Sequence, residues 1–293
     1  MTIINLNIND VNLITCKYGT NDKNIDTSDI LKNYINNKIN KNIYFITINI
    51  NNKTMKSDPT PYIIKDLNLN LKNKNYNIKE KDNVHFCIKL SFNIIFKNKI
   101  NNIGLDNYNT ATLLGKGPTF KDVIKEKNEL RCAINQAANI ANGVDFLCLN
   151  DHHNLFKINL DTLKNLKYIL IPEYLHINQL SCKEGYFVNI LDYLNNKFFG
   201  NLIIYNLITS RKNTKYIIDL ETATSSGNNC FEFIGKFTNI KTVDTYGFAV
   251  FKKDEHYNKI FVGNGYYDNA RIIILKKVLK KTADKYKITY NLN

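Results

Sequence analysis

The chain of 293 residues contains no tryptophan, 4 prolines and 2 methionines, and its arginines are confined to Arg131, Arg211 and Arg271. With so few guanidinium forks, paired readout of bases or phosphates is poorly supplied. The six cysteines (Cys16, Cys87, Cys132, Cys148, Cys182, Cys230) include no CxxC pair. Their scatter through apolar runs argues against a zinc site or a disulfide scaffold, and makes Cys132, Cys148 and Cys230 small core hydrophobes. No apolar run reaches the roughly 18 residues of a membrane span. The opening MTIINLNIND lacks the basic and apolar regions of a signal peptide. These absences together imply a soluble protein of a reducing, cytoplasmic compartment.

What is abundant is lysine, and the formal net charge is +14 with a pI near 9.3. Lysine is spread with Asn, Ile, Tyr and Phe over the whole chain, as codon bias from an AT-rich coding sequence would produce, and forms no dense block. A nucleic-acid binder built on charge would bind in a strongly salt-sensitive way; the even spread argues against one. Residues that are 44% hydrophobic and 12% aromatic suffice for packed cores, and the length suits two domains.

From Leu13 to about Phe96 short strands are broken by polar punctuation. NIYFITINI (42–50), YIIKDLNLNL (62–71) and VHFCIKLSF (84–92) alternate as half-buried strands do, while Pro59 and Pro61 make SDPTP (57–61) a turn. A helix is expected over 26–40, where Asp26, Thr27, Ser28 and Asp29 can cap a run with Ile30, Leu31, Tyr34, Ile35 and Ile39 at helical spacing. Residues 1–97 thus read as a β-rich domain and the Asn-rich stretch 98–108, with Gly104, as a linker.

From 109 to 293 apolar runs alternate with helical stretches, the pattern of βαβ units on a mostly parallel sheet. TATLLG (110–115) reads as a strand running into KGPTF (116–120), followed by the amphipathic KDVIKEKNEL. Gly115 and Gly117 suit a tight turn that can approach a phosphate, with Pro118 opening a helix whose N–H groups face that anion. RCAINQAANI (131–140) and VDFLCLND (144–151) read as further strands with Asn135, Asn150 and Asp151 at their ends. Ligands in open α/β sheets sit outside the carboxyl ends of the strands, so these polar ends point to one crevice.

Two family resemblances follow from these residues. Over 10–95 the chain resembles a small β-sandwich module appended to diverse proteins, through Tyr18, Gly19, Asp26, Asn51, Asn52, Asp58, Pro59, Pro61, Lys65, Leu67 and Glu80. Both glycines of that module's GDPxPG pattern are replaced, by Ser57 and Tyr62. The resemblance implies an accessory or binding role.

Over about 180 residues the rest resembles the bacterial sialyltransferases, through GKGPT (115–119), Asn135, Asn150, SSG (225–227) and the strand KTVDTYGF (241–248). That resemblance implies a Rossmann-like, GT-A-like fold and an inverting, metal-independent glycosyltransferase. It would use a nucleotide sugar, a CMP-sugar, and a glycan acceptor, and need no cofactor. Gly115, Lys116 and Gly117 would lie against the donor's phosphate and ribose, and Asn135 and Asn150 would hydrogen-bond the nucleotide. Ser226 and Gly227 would present N–H groups and a hydroxyl, and Tyr257 would hydrogen-bond the departing phosphate. The chain departs from the family at Lys116 (Asn in the family), Thr222 (Arg), Ala249 (Asp) and Asn264 (the catalytic His). Asn264 cannot accept a proton at neutral pH, so His256 becomes the replacement base. The alternative is a nucleotide- or glycan-binding protein that has lost catalysis.

Two further features have plainer readings. Asp151-His152-His153 stands without the companion motifs of a metal phosphoesterase and reads as a polar strand end beside the crevice. RIIILKKVLKKTADKYKITYN (271–291) reads as a helix with an outer lysine face, then a closing strand. A basic helix can lie on a membrane or on nucleic acid, and more commonly is a solvated face.

Overall fold

The computed structural model describes residues 2–40, 44–95, 97–117, 119–172, 186–207, 218–221, 225–247 and 269–293. They group into two compact units, Met1–Ser91 with Cys182–Asn196, and Phe92–Ser181 with Lys197–Asn293.

The first unit contains β1 (Thr2–Asn7), β2 (Thr15–Gly19), β3 (Asn24–Asp26), α1 (Ser28–Ile39), β4 (Phe45–Asn49), α2 (Asn52–Met55), β5 (Asp66–Leu71), β6 (Lys74–Lys79) and β7 (Asn83–Lys89). They make two small sheets, ordered β1-β7-β4 and β3-β2-β5-β6. Each buries one face by strict alternation: Leu67, Leu69 and Leu71 on β5, Val84 and Phe86 on β7. α1 forms where the helical spacing predicts, burying Leu31, Ile35 and Ile39. Thr27 is its N-cap, and Asp26 Oδ1 accepts from the Ser28 N–H at 2.8 Å.

Five of the residues quoted for the β-sandwich resemblance, Tyr18, Asn52, Asp58, Lys65 and Glu80, are linked by hydrogen bonds and an ion pair. The buried Tyr18 hydroxyl lies 2.9 Å from both Asn52 Oδ1 and Glu80 Oε1. Lys65 is only 2% exposed, and its ammonium reaches Asp58 at 2.9 Å and the Ile63 carbonyl at 2.9 Å. Its N–H donates to Glu80 Oε2 at 3.1 Å. A buried ammonium must be neutralised and hydrogen-bonded; here that requirement ties the loop 57–65 to β2 and to the end of β6. Tyr62, which occupies the module's second glycine position, has φ 66° and a fully exposed side chain. The left-handed backbone disfavours a side chain by roughly 1–2 kcal/mol, while glycine gives back part of that in unfolded-chain entropy. Tyr62→Gly is therefore expected to raise stability by roughly 0.5–1 kcal/mol, read as an upward shift of the denaturant midpoint at unchanged slope.

The second unit contains β8 (Asn93–Ile95), β9 (Thr110–Leu114), β10 (Glu129–Ile134), β11 (Phe146–Cys148), α3 (Leu160–Asn165) and β12 (Tyr168–Pro172). Next in the chain is α4 (Tyr186–Leu194), which belongs to the first unit and approaches the 3₁₀ turn Ile8–Leu13 there. The first unit is thus not one contiguous N-terminal stretch. Then come β13 (Asn201–Leu207), β14 (Ile218–Leu220), α5 (Ser226–Phe237), β15 (Thr242–Tyr246), α6 (Asn269–Tyr286) and β16 (Thr289–Leu292).

All nine described strands of this unit are parallel, in the order β14-β13-β12-β11-β10-β9-β15-β16, with β8 also paired to β13. Ala111, Leu113, Cys132, Phe146, Cys148, Leu170 and Ile203 pack with Phe231, Phe233 and Ile234 of α5 and Leu279 of α6. The alternate residues Leu114, Ala133, Leu147, Ile169 and Ile204 are buried as well. Burial on both faces is what a parallel sheet requires, and explains the continuous apolar runs.

The structure corrects three readings. KDVIKEKNEL forms no helix: 120–126 is irregular and the strand begins at Glu129. Before the strand its apolar residues are Val123 and Ile124, adjacent rather than three or four apart; Ile124 is 93% exposed, and Asp122 and Lys125 are held by Asn142 and Asp145. Residues 135–139 are a 3₁₀ turn rather than the end of a strand. The stretch 98–108, expected as a linker, carries 3₁₀ turns at Lys97–Asn102 and Leu105–Asn107 whose Ile100 and Leu105 join the second unit's core.

Candidate functional site

β9 lies between β10 and β15, and the sheet's sequential order runs outward from it to β14 before returning on its other side. The crevice at the carboxyl end of such a strand is where open α/β sheets bind ligands. Gly115, Lys116 and Gly117 form the turn there. The Gly115 N–H donates to Tyr246 O and the Gly117 N–H to Gly247 O, both at 2.8 Å, and the Gly247 N–H donates to Thr119 Oγ1 at 3.1 Å. Gly247 has φ +63°, and a Cβ on it would lie 2.6 Å from the Gly115 carbonyl oxygen. Only glycine allows β15 to end so close to the turn.

Lys116 points from this turn to β10, its Nζ 3.3 Å from Gln136 Oε1, while Gln136 Nε2 donates to Asn154 Oδ1 at 3.0 Å. Burial holds the Lys116 pKa below the ordinary lysine range, helped by the nearby charge of Lys157 and opposed by Asp151. An ammonium dehydrated in this way gains from an anion brought to it. Beside it Asn135 follows directly on β10 with φ 54°, and its Oδ1 is buried without a hydrogen-bond partner among the described residues. Such an acceptor is unfavourable in isolation and suits a ligand's N–H or hydroxyl.

Asn150 lies two residues past β11. Its Oδ1 accepts from the Tyr205 hydroxyl at 2.8 Å and from Asn229 Nδ2 at 3.2 Å. Any bond it gives a ligand therefore comes from Nδ2. Ser226 and Gly227 open α5, with Ser225 as the N-cap accepting from the Asn228 N–H at 3.2 Å. The Cys148 thiol donates to the Ser226 carbonyl at 3.2 Å, which sets this helix start at the end of β11. Two strand spacings, ~10 Å, separate the 115–117 turn from Asn150.

The sequence matches no protein-family model and no characterised protein.

The structure places Gly115, Lys116, Gly117 and Asn135 at the carboxyl ends of the adjacent strands β9 and β10, and Asn150, Ser226 and Gly227 by the end of β11, two strands along. His256, Tyr257, Thr222, Ala249 and Asn264 lie outside the described residues. The helix expected after the 115–119 turn is absent, so no helix N-terminus stands behind Gly117; α5 starts at this end of the sheet, beside the end of β11. Gln136, Asn154, Tyr205, Asn229 and Gly247 were not anticipated. A signal existed for Asn229, since Asn228-Asn229 is a polar pair directly before the apolar residues Cys230, Phe231, Phe233 and Ile234. Among the described residues no three His, Cys, Asp or Glu side chains gather as metal ligands, and no helix is long and apolar enough to cross a membrane.

His152 is buried, and its Nε2 lies 2.6 Å from the Pro172 carbonyl; since a carbonyl only accepts, the proton sits on Nε2. Burial pushes its pKa down to about 4, against the raising influence of that bond and of Asp151. The unfolded chain therefore binds the proton more readily, and stability falls as pH drops from about 6.5 to about 4, by on the order of 3 kcal/mol. In His152→Gln, whose amide can also donate to Pro172, that loss should shrink by the histidine's share when denaturant unfolding is compared at pH 7 and pH 4.5.

Proposed function

We propose that the second unit is a Rossmann-like nucleotide-binding domain of the glycosyltransferase type, taking a nucleotide sugar, a CMP-sugar, at the carboxyl end of β9. The observation that carries this reading is the pairing of an unpartnered buried acceptor, Asn135 Oδ1, with a dehydrated cation, Lys116, at the reversal of the strand order. A nucleoside phosphate supplies the complement of both. Its phosphate meets Lys116 beside the turn of Gly115 and Gly117, and a ribose hydroxyl or base N–H meets Asn135. Asn150 Nδ2 and the start of α5, with Ser226 and Gly227, stand two strand spacings along, within the span of a nucleotide. A fixed cation at the phosphate also favours departure of the nucleotide, because the leaving group gains negative charge as the glycosidic bond breaks.

In this reading His256 takes the proton of the acceptor glycan's hydroxyl and Tyr257 hydrogen-bonds the departing phosphate, giving inversion without a metal. Asn264, at the place of the family's histidine, favours a second reading in which the domain binds the nucleotide or a glycan without transfer.

Thermal unfolding with CMP, CDP, UDP, GDP and their sugars tests the site, because a ligand that binds only the folded chain stabilises it by about 2.7 kcal/mol at a hundred times its Kd. CMP or a CMP-sugar is expected to raise Tm most. Asn135→Ala and Lys116→Met should each weaken that binding by about tenfold or more, equivalent to ~1.4 kcal/mol, with the fold retained. If no nucleotide shifts Tm, the nucleotide site is wrong.

A further inference from the structure

α6 divides cleanly along its length. Leu275, Leu279, Thr282 and Ala283 are buried, Leu279 and Ala283 in the core that α5 also joins. Outside that stripe, at 100° per residue, stand Ile273, Ile274, Lys277, Lys280 and Lys281 on the far side and Lys276 at its edge, all exposed, the two isoleucines at 53% each. Asp284 is the one acidic residue of the helix, and Lys285 is already engaged by Glu221 at 2.7 and 2.8 Å. Four lysines and two aliphatic side chains thus share a face that is exposed among the described residues.

We propose that this face of α6 is a docking surface for an anionic lipid bilayer, with Ile273 and Ile274 entering the headgroup boundary and Lys276, Lys277, Lys280 and Lys281 pairing with acidic headgroups. Either signal alone is weak. A small apolar insertion holds a protein to a bilayer only marginally, and lysines near an anionic leaflet supply the second signal. The long lysine stems lie along the apolar boundary while their ammonium groups stay among the headgroups. A nucleic-acid surface would account for the lysines and leave the paired isoleucines without a use, since phosphate binding is driven by charge. The helix is also anchored: Asn228 Nδ2 donates to the Leu275 carbonyl at 3.3 Å, fixing its early turns to the start of α5.

The test is co-sedimentation of the whole chain with phosphatidylcholine vesicles, with and without phosphatidylserine, at low and high salt. The protein is expected to pellet with the phosphatidylserine vesicles, more weakly as salt rises. Replacing all four lysines by glutamine should weaken this by about two to three orders of magnitude, and Ile273→Ser with Ile274→Ser by about tenfold. Unfolding midpoints should be unchanged, as all six side chains are exposed. Absence of binding at low salt, equal binding to both vesicle types, or binding that survives the lysine replacements would each overturn the proposal. So would retention by a DNA duplex with no retention by vesicles, which would make the face a nucleic-acid surface.

Discussion

β9 is the strand at which the order of the parallel sheet reverses, and its neighbours are held level with it. Thr110 pairs with both Glu129 and Thr242, and Leu114 with both Ala133 and Tyr246. Three strands therefore reach their carboxyl ends together, and the connections that leave them diverge instead of packing over one another. The turn 115–117 sits in the opening so created. Its close seat against Gly247 makes the end of β15 part of the wall, so a side chain at 247 would displace the turn as well as strain the backbone. The crevice is thus a consequence of topology, and the residues that line it inherit their position from the register of three strands.

The two ends of that sheet treat polar groups in opposite ways. At the amino end the buried Arg131 is gripped by Glu129 at 3.1 Å, by the Asn142 carbonyl at 3.0 Å and, at 3.6 Å, by Asp122. Asp145 accepts from the Arg131 N–H at 3.2 Å and pairs with Lys167 at 3.0 Å and with Lys125. Removing charges from water is expensive unless each is paired and hydrogen-bonded, and here partners from four segments supply the pairing, Arg131 Nη2 being the exception. At the carboxyl end the groups are mostly neutral amides, one of them with an unpaired acceptor, around a lysine whose charge is disfavoured by burial. The first arrangement meets its charges with opposite charges and serves stability. The second is improved by adding a partner.

Much of this was readable in the residues. Apolar runs alternating with helical stretches marked the parallel sheet, and α1 followed from Leu31, Ile35 and Ile39. What escaped reading depended on pairing between distant segments. Nothing local in Gly247 shows that it must face Gly115, and Tyr205 reads as one more apolar residue of a strand until Asn150 and Asn229 are seen on its hydroxyl. The helix expected after Gly117 failed for a different reason. Its charged residues suited a helix surface, but they are claimed by tertiary partners, and two adjacent apolar residues cannot form the stripe that would hold a helix to the sheet. Tyr62 is a different case: nothing in its residue type announces a left-handed backbone, and its φ of 66° appears only in the folded loop that Lys65 and Asp58 hold together.

α5 explains how a crevice with so few charged groups can be held rigid. Apolar packing of Cys230, Phe231, Phe233 and Ile234 fixes the helix to the sheet but tolerates sliding and rotation, since burial is not directional. The polar residues of the same helix remove that freedom. Asn229 bonds both Asn150 and Tyr205, Asn228 bonds the Leu275 carbonyl, and both oxygens of Glu232 accept from the Glu221 N–H at 2.8 and 2.9 Å. Each bond has a preferred direction, and bonds from three residues over two turns restrict both the rotation and the height of the helix. The first N–H groups of a helix are left without intrahelical partners and carry the positive end of its dipole. Because buried amides and a carboxylate fix where α5 begins, those groups stand at a set position beside the end of β11 before any ligand arrives, and little reorganisation is left for binding to supply.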